Sequence, residues 1–222
     1  MITSPRILPA WVSQVSLYVD ETDTAAAAIP LPPAWQVAPP ERQRHFRAGR
    51  YCAQLALEQL GIPGFIPGVD EYSAPAWPSG TVGSITHALA LVSAAVAPRK
   101  RCGGLGIDIE PMVSLERAHV WAARCATSNE IFAVMDGAKV DYSVAVMLIV
   151  SAKHSLYKCL RPQIGRAIAY LDASIDDAQI APGRFRARVK TTLSPAWVSG
   201  TMVSGVFEIA GDFIHTGIAL LA

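Results

Sequence analysis

The protein has 222 residues, with 19 basic and 18 acidic side chains and a formal net charge of +1 at pH 7. This balance excludes the strongly basic composition of generic nucleic-acid binders, so we expect no nucleic-acid partner. Hydrophobic residues make up 51% and charged residues 17% of the chain, a composition that excludes disorder and predicts one large or two small domains.

The N-terminal region is predicted to be a strand followed by irregular chain. Residues 12–20 alternate apolar and polar side chains, which is typical of a half-buried strand. Residues 25–40 are rich in proline and alanine and predict irregular surface chain.

The apolar runs and the cysteines together predict the cellular compartment of the protein. The first residues have no basic stretch that leads into a long apolar run, so we expect no secretion signal. The best apolar run, residues 144–152, is shorter than the roughly 18 residues of a membrane span. The cysteines share no C-x-x-C spacing. We therefore expect a cytoplasmic monomer with no membrane partner and with four reduced thiols: Cys52, Cys102, Cys125 and Cys159.

Residues 39–60 predict a helix with an unusual charge distribution. Pro39, Pro40 and Glu41 suit its first turn, and Gly61 followed by Pro63 suits its end. Its N-terminal half carries four arginines, namely Arg42, Arg44, Arg47 and Arg50. Like charges repel unless an anion lies between them, so the pattern indicates an anion site; the alternative is a solvated helix face.

Residues 77–87 predict a loop that leads into a strand, and the residues near its end suit an anion. Ser84, Thr86 and His87 offer hydroxyl, imidazole and main-chain N–H groups that suit a phosphate. Residues 89–97 predict a further apolar strand. The basic turn that follows contains Gly103 and Gly104, which we take as the boundary between two halves of the chain.

The strand predicted after this boundary carries two acids. Asp108 and Glu110 are two residues apart, so their carboxylates project from the same face of the strand. Paired carboxylates are typical ligands of a hard divalent cation. The alternative is an edge strand with a solvated polar face.

A long helix is predicted over residues 142–160. Its apolar run ends abruptly at Lys153, and His154 and Lys158 follow at i and i+4 on one face. The two lysines predict an anion site in which His154 is available as a base, because its unperturbed pKa is near 6.5. A purely structural histidine is the alternative.

The order of elements predicts an α+β fold. Further strands are expected over residues 184–191, 200–209 and 213–221. Each half combines strands with a long helix, so we predict two similar halves, residues 1–103 and 104–222.

Four short motifs in order resemble one known family. They are the arginine-rich helix, W-P-x-G-x-V-G-S-I-T-H at 77–87, G-I-D-I-E-P at 106–111 and S-A-K-x-S-L-Y-K at 151–158. This pattern resembles the 4'-phosphopantetheinyl transferases of the enterobactin-synthase and surfactin type. The resemblance implies two α+β halves related by a pseudo-twofold axis, with the active site in the cleft between them. It also implies transfer of the phosphopantetheine arm of coenzyme A to a serine of an acyl or peptidyl carrier protein.

The resemblance assigns catalytic and metal roles to the second half of the chain. Asp108 and Glu110 would hold Mg²⁺ against the coenzyme A diphosphate, and Lys158 would neutralise the leaving diphosphate. Such roles are physically reasonable, because phosphoryl transfer depends on positioning and charge neutralisation.

The resemblance also assigns coenzyme A contacts. Arg42 and Arg50 would hold the 3'-phosphate, while Ser84 and His87 would contact the nucleotide and the phosphates. Lys153, beside His154, is predicted to add a cation to the same anion site.

Two positions depart from the family pattern. His154 stands where the family has a glutamate that is a metal ligand and the proposed base, and Tyr72 stands where relatives place a basic residue. Imidazole suits Mn²⁺ or Zn²⁺ better than Mg²⁺.

These departures leave three functions open. The first is a transferase with an altered metal shell, dependent on Mg²⁺ or Mn²⁺. The second is a repurposed enzyme of the same fold that acts on a coenzyme A- or carrier-tethered intermediate of secondary metabolism, with His154 as base. The third is a non-catalytic binder of the carrier or of coenzyme A.

Overall fold

The computed structural model of the protein describes residues 5–71 and 73–222 and shows a mixture of helices and strands. Before residue 100 the elements are β1 (Ser13–Tyr18), α1 (Val19–Ala26), α2 (Pro33–Gln36), α3 (Pro40–Gln59), β2 (Gly68–Val69), β3 (Pro75–Ala76), β4 (Thr81–Ala88) and β5 (Leu91–Pro98). After it they are β6 (Cys102–Pro111), α4 (Leu115–Cys125), α5 (Ser128–Ala138), α6 (Tyr142–Ile164), a 3-10 turn (Tyr170–Asp172), β7 (Ala173–Gln179), β8 (Arg184–Val189), β9 (Met202–Ala210) and β10 (Phe213–Leu221).

The N-terminal sheet has the antiparallel order β1-β5-β4, and α3 packs against one of its faces. Small side chains on the buried face of α3 let the helix lie close to the sheet, and they are Ala48, Cys52, Ala53 and Ala56. The helix begins and ends within a residue or two of the predicted positions.

The region between β1 and α3 is more regular than its composition predicted. The strand predicted over residues 12–20 ends at Tyr18, where α1 begins. The Glu21 side chain accepts a hydrogen bond from the Tyr18 backbone N–H, which favours helix over strand at this point. The irregular chain predicted for residues 25–40 contains the end of α1 and the whole of α2, so that prediction was wrong in part.

The C-terminal sheet has the antiparallel order β6-β10-β9-β8-β7, and α6 packs across it. By length and composition α6 is apolar enough to cross a membrane, but 72% of its most apolar window is buried inside the fold, as in the core helix of a globular domain. The helix continues past its predicted end through Pro162 and ends before Gly165, whose φ of 72° suits a helix C-cap.

The two sheets meet where β4 lies beside β6. The strands belong to different sheets, and side-chain hydroxyls of β4 bind backbone N–H groups of β6. Ser84 Oγ accepts from the N–H of Ile107 at 3.1 Å, and Thr86 Oγ1 accepts from the N–H of Ile109 at 3.3 Å. Thr86 also donates to Asp108 Oδ1 at 3.1 Å. The junction therefore positions a carboxylate of β6 directly.

A glycine in β6 sets the distance between this strand and α6. A Cβ atom at Gly106 would lie 2.0 Å from the backbone oxygen of Ser155, far inside contact distance. Only glycine permits this close approach. Because α6 lies so near, the side chains one helical turn apart, His154 and Lys158, reach the carboxylates of β6.

The predicted α+β class and its two halves, each a sheet with a long helix, are confirmed. The predicted boundary between Gly103 and Gly104 lies at the start of β6, and the exact division stays a prediction.

Candidate active site

The two acids of β6 face one histidine of α6. Nδ1 of His154 lies 3.1 Å from Glu110 Oε1 and 3.4 Å from Asp108 Oδ2. One ligand atom from each of these residues lies within 4.8 Å of the other two. The carboxylates therefore share a face, as their spacing predicted, and His154 completes a cluster of three.

Lys158 joins the cluster from the next turn of α6. Its Nζ donates to Asp108 Oδ1 at 2.7 Å and to the backbone oxygen of Ile107 at 3.1 Å. The Lys158 side chain is about one-quarter exposed, so the ammonium also borders the open cleft. Both members of the i, i+4 pair predicted from the sequence thus contact Asp108, and His154 contacts Glu110 as well.

The charges of the cluster shift two pKa values in opposite directions. Burial opposes ionisation of Asp108, but the charges of Lys158 and His154 outweigh it and hold the pKa of this carboxyl below its usual range. Burial alone would lower the pKa of His154, but its close contacts with the Asp108 and Glu110 carboxylates raise it to about 9. Without a metal, the imidazole is therefore charged at neutral pH and is no base.

The donor set of the cluster fits a divalent cation. Asp108 Oδ2 is buried, and among the described residues it has no hydrogen-bond partner, so its lone pairs are free toward the cluster. Two carboxylates and one imidazole are a set found around Mn²⁺ and Zn²⁺, and carboxylates alone suit Mg²⁺. Binding through Nδ1 requires that His154 release its proton there.

Tyr170 contacts the far side of His154, and the sequence did not predict this. Its hydroxyl lies 2.5 Å from His154 Nε2, and burial raises the pKa of the phenol to about 12. Tyr170 follows the end of α6 in a segment without motif or periodicity, so no pattern in the sequence pointed to it.

Two cavities adjoin the cluster on either side of Tyr157, which lines both. The larger, about 480 Å³, is lined by Trp77 and Ser84 from the N-terminal half and by Lys158 and Arg161 from α6. The smaller, about 260 Å³, is lined largely by apolar groups together with His154 and Tyr170. The larger cavity therefore lies between the two halves, as the resemblance predicted for the active-site cleft.

Arg50 is the most unusual of the four predicted arginines. It is 6% exposed, donates to the backbone oxygen of Gly68 at 3.1 Å and lies over the ring of Phe46. Its buried Nε has no hydrogen-bond partner among the described residues, and burial lowers the pKa of the guanidinium to about 10. Such a group is prepared to bind an anion.

The other three arginines divide between two roles. Arg44 is exposed and pairs with Asp20 and Asp23 of α1, and Arg47 donates to the backbone oxygen of Ile29. For these two the structural alternative holds. Arg42 is exposed over the ring of Trp35 and lies two turns before Arg50 on the same helix.

His87 and Ser84 lie on β4 at the cleft. The His87 ring stacks on His45 of α3 with centroids 4.8 Å apart and planes 16° apart. The His87 residue is exposed overall, but packing of its ring in the cleft, followed by the nearby His45 and Lys158, holds the pKa of the imidazole below its usual value. Ser84 Oγ accepts from β6, which leaves its hydroxyl proton available to a ligand in the larger cavity.

Lys153 does not lie with the other predicted anion contacts. Its Nζ is buried and binds Glu130 Oε1 at 2.8 Å and the backbone oxygen of Cys125 at 2.7 Å. A one-residue step along α6 rotates the side chain by about 100°, which directs it into the core. The Lys153 ammonium is therefore held in a buried ion pair, while the residue also lines the smaller cavity, and its contact with coenzyme A stays a prediction. Tyr72 lies outside the described residues.

Comparison with known proteins assigns the family. Residues 32–97 match the 4'-phosphopantetheinyl transferase N-terminal domain, and residues 104–210 match the 4'-phosphopantetheinyl transferase superfamily. The 4'-phosphopantetheinyl transferase Svp of Streptomyces mobaraensis is 32% identical over 97% of this chain and 88% of its own. The chain belongs to the 4'-phosphopantetheinyl transferase superfamily.

Other relatives of this transferase cover most of its length. The 4'-phosphopantetheinyl transferase PptT of Mycobacterium tuberculosis is 27% identical over 96% of both chains. Enterobactin synthase component D of Salmonella typhi is 32% identical over 78% of this chain and 76% of its own. The resemblance found from the motifs is confirmed.

Proposed function

We propose that this transferase moves the phosphopantetheine arm of coenzyme A to a serine of an acyl or peptidyl carrier protein, with a divalent cation. The observation that carries the proposal is the cluster of Asp108, Glu110 and His154 with Lys158 beside it. Two acids and a cation at the mouth of a cleft suit a diphosphate that is bound together with a metal ion.

The residues of the cluster have distinct roles in this proposal. Asp108, Glu110 and His154 would hold the cation, which would neutralise the diphosphate and polarise its phosphorus–oxygen bonds. Lys158 donates to Asp108 and to the Ile107 backbone oxygen and keeps its third N–H for the cleft, so it suits neutralisation of the departing adenosine 3',5'-bisphosphate. With Nδ1 on the cation and its remaining proton on Nε2, His154 has no free lone pair, so in this proposal it is a metal ligand and not the base for the carrier serine.

The two cavities suggest how coenzyme A would lie. The nucleotide is the larger and more polar part, so it suits the cavity lined by Trp77, Ser84 and Lys158. Arg42 and Arg50, with His87 at the edge of the cleft, supply cations and donors for the 3'-phosphate and the diphosphate. The pantetheine chain is narrow and less polar, and the apolar cavity beside His154 suits it.

One observation favours the repurposed enzyme as a second candidate. His154 and Tyr170 together line an apolar cavity in which a tethered intermediate would fit, and the carboxylates beside His154 raise its pKa and so favour the imidazolium. An imidazolium beside a phenol suits acid catalysis on such an intermediate. The cytoplasmic location, the monomeric state, the lack of nucleic-acid and membrane partners, and the division at residue 103 remain predictions.

The decisive experiment is intact-mass analysis of apo carrier proteins incubated with coenzyme A, this protein and either Mg²⁺ or Mn²⁺. The proposal expects a gain of one phosphopantetheine group, absent from a carrier whose acceptor serine is alanine. His154→Glu should raise the rate in Mg²⁺, because it restores an all-oxygen ligand set, while the parent should favour Mn²⁺.

The matched control is Asp136→Asn, which changes an exposed carboxylate that pairs with Lys139 and should leave the rate unchanged. No transfer by the parent, His154→Glu or His154→Ala proteins, in either metal and with several carriers, would contradict the transferase proposal and favour the repurposed enzyme.

A further inference from the structure

The imidazole of His154 is held from both sides. Nδ1 faces Asp108 and Glu110, while Nε2 lies 2.5 Å from the hydroxyl of Tyr170. The Tyr170 hydroxyl also lies near the buried thiol of Cys125. A histidine ring turned by 180° about its last torsion would direct carbon atoms at its former partners, so the two contacts together specify one orientation.

Tyr170 itself is fixed by backbone contacts. It opens the short 3-10 turn that precedes β7, and the Asp172 side chain accepts from the N–H of Ala169 at 2.9 Å. The backbone oxygen of Asp172 accepts from the N–H of Lys190 at 2.7 Å, which ties the turn to the end of β8. The phenol hydroxyl therefore approaches His154 from a constrained support.

We propose that Tyr170 is a positioning residue that turns His154 so that Nδ1 is its metal-ligating atom. This inference rests on the metal site of the proposed function. A ligating imidazole must carry its remaining proton on the other nitrogen, and the Tyr170 oxygen accepts a hydrogen bond from Nε2–H. The hydrogen bond from Nε2–H to Tyr170 can form both in the protonated His154 imidazole and in the metal-bound one, because Nε2 keeps its proton in both states.

The choice of ligand makes this support necessary. A carboxylate presents two equivalent oxygens, whereas an imidazole presents one correct nitrogen and, in the flipped ring, a carbon. Partners that fix the orientation of a metal-bound histidine typically contribute 10–100-fold to metal affinity. At this site, among the described residues, Tyr170 is the hydrogen-bond partner of Nε2.

The test compares Mn²⁺ binding by the parent, Tyr170→Phe, His154→Ala and the double variant, measured by titration calorimetry without coenzyme A or carrier. Tyr170→Phe keeps the ring and removes the hydroxyl, and it should weaken Mn²⁺ binding about 10–100-fold. In the His154→Ala background the same change should alter the dissociation constant less than about twofold, because the hydroxyl acts only through the imidazole. Tyr142→Phe is the matched control and should leave binding unchanged, because this ring packs at a tilt against exposed His119 and not against His154.

A second readout requires no metal. In protein labelled with ¹⁵N at histidine, the ring nitrogens of His154 should change their chemical shifts in Tyr170→Phe and not in Tyr142→Phe, while the melting temperature of each stays near that of the parent. Equal losses of Mn²⁺ affinity in both backgrounds, unchanged His154 shifts, or no Mn²⁺ binding by the parent would overturn the inference. If these results hold but no carrier is modified, the positioning role stands and the transferase proposal fails.

Discussion

Two ion clusters lie side by side on α6 and differ in completeness. In the first, Lys153 and Glu130 have side chains only 3% and 2% exposed. Both oxygens of Glu130 are satisfied, by Lys153 and by the backbone N–H groups of Ile175 and Thr127. We call this the closed cluster.

The second cluster, formed by Asp108, Glu110, His154 and Lys158, is open. His154 and Lys158 are 29% and 28% exposed, and Asp108 Oδ2 has no hydrogen-bond partner among the described residues. A pair that satisfies every atom has no capacity for a ligand, whereas an incomplete one keeps donors and acceptors for substrate and metal. Whether every polar atom of a cluster has a partner therefore distinguishes a structural ion pair from a binding site more reliably than the charges or the sequence motif do.

The open cluster should be the more sensitive of the two in activity. Asp108→Asn should lower the turnover of coenzyme A by about 10³-fold, which corresponds to ~4 kcal/mol, because it removes a metal ligand and the partner of Lys158. The amide can still accept from Thr86, so the fold should persist. Steady-state kinetics over a range of Mn²⁺ concentrations measures the effect, and a variant with unchanged metal dependence would refute the shared site.

The closed cluster should be the more sensitive in stability. Glu130→Gln leaves the buried ammonium of Lys153 without a counter-charge and should lower the free energy of unfolding by about 3 kcal/mol. Urea denaturation measures this loss. The specific activity of the folded fraction should stay near that of the parent; an activity loss without a stability loss would place Lys153 back in the site.

A further comparison tests which arginines of α3 belong to the open site. Arg50→Ala should weaken coenzyme A binding by about 1.5–3 kcal/mol, and it should weaken binding of dephospho-coenzyme A much less. Arg44→Ala, which breaks the exposed pairs to Asp20 and Asp23, is the control and should leave both affinities unchanged. Equal calorimetric losses for the two ligands in Arg50→Ala would mean that this arginine does not bind the 3'-phosphate.

The histidines extend the comparison to pH. His215 is 3% exposed between Ile109 and Glu208 of the neighbouring strands, and burial lowers its pKa to about 4. The unfolded chain, with a pKa near 6.5, binds more protons between these values, so the contribution of His215 to stability is complete above about 6.5 and is lost as the pH falls toward 4.

Between pH 6.5 and pH 4, this histidine should lower the free energy of unfolding by about 1.4 kcal/mol for each unit of pH decrease. Urea unfolding of the parent and of His215→Phe, measured from pH 7 to pH 4.5, gives the contribution of His215 as the difference between the two free energies of unfolding. His119→Gln, at an exposed histidine, is the control and should preserve the slope of the parent. A parent and His215→Phe with parallel profiles would show that burial does not shift this pKa.

The sequence was informative where chemistry and periodicity coincide. The strand spacing of Asp108 and Glu110 and the helix spacing of His154 and Lys158 predicted two faces, and the fold brings those faces together. The α+β class followed from the alternation of strands with long helices. These features depend on local geometry, which a single sequence contains.

The features that the sequence did not show have a common physical origin in contacts between distant segments. Lys153 was placed in the anion site because it adjoins His154, but its direction depends on Glu130, 23 residues earlier. Tyr170 was missed because its position depends on how the chain turns after α6. Such contacts are set by tertiary packing, and no local pattern in the sequence reports them.

Gly106 has a consequence for how this enzyme can vary. Its missing side chain sets the separation of α6 from β6, and that separation determines whether Lys158 reaches Asp108. A methyl group there would force the helix outward and lengthen the contact even though every charged residue remained in place. Activity therefore depends on a buried residue that takes no part in the reaction. A homologue with alanine at this position would keep every charged residue of the site, but its lysine would no longer contact its aspartate.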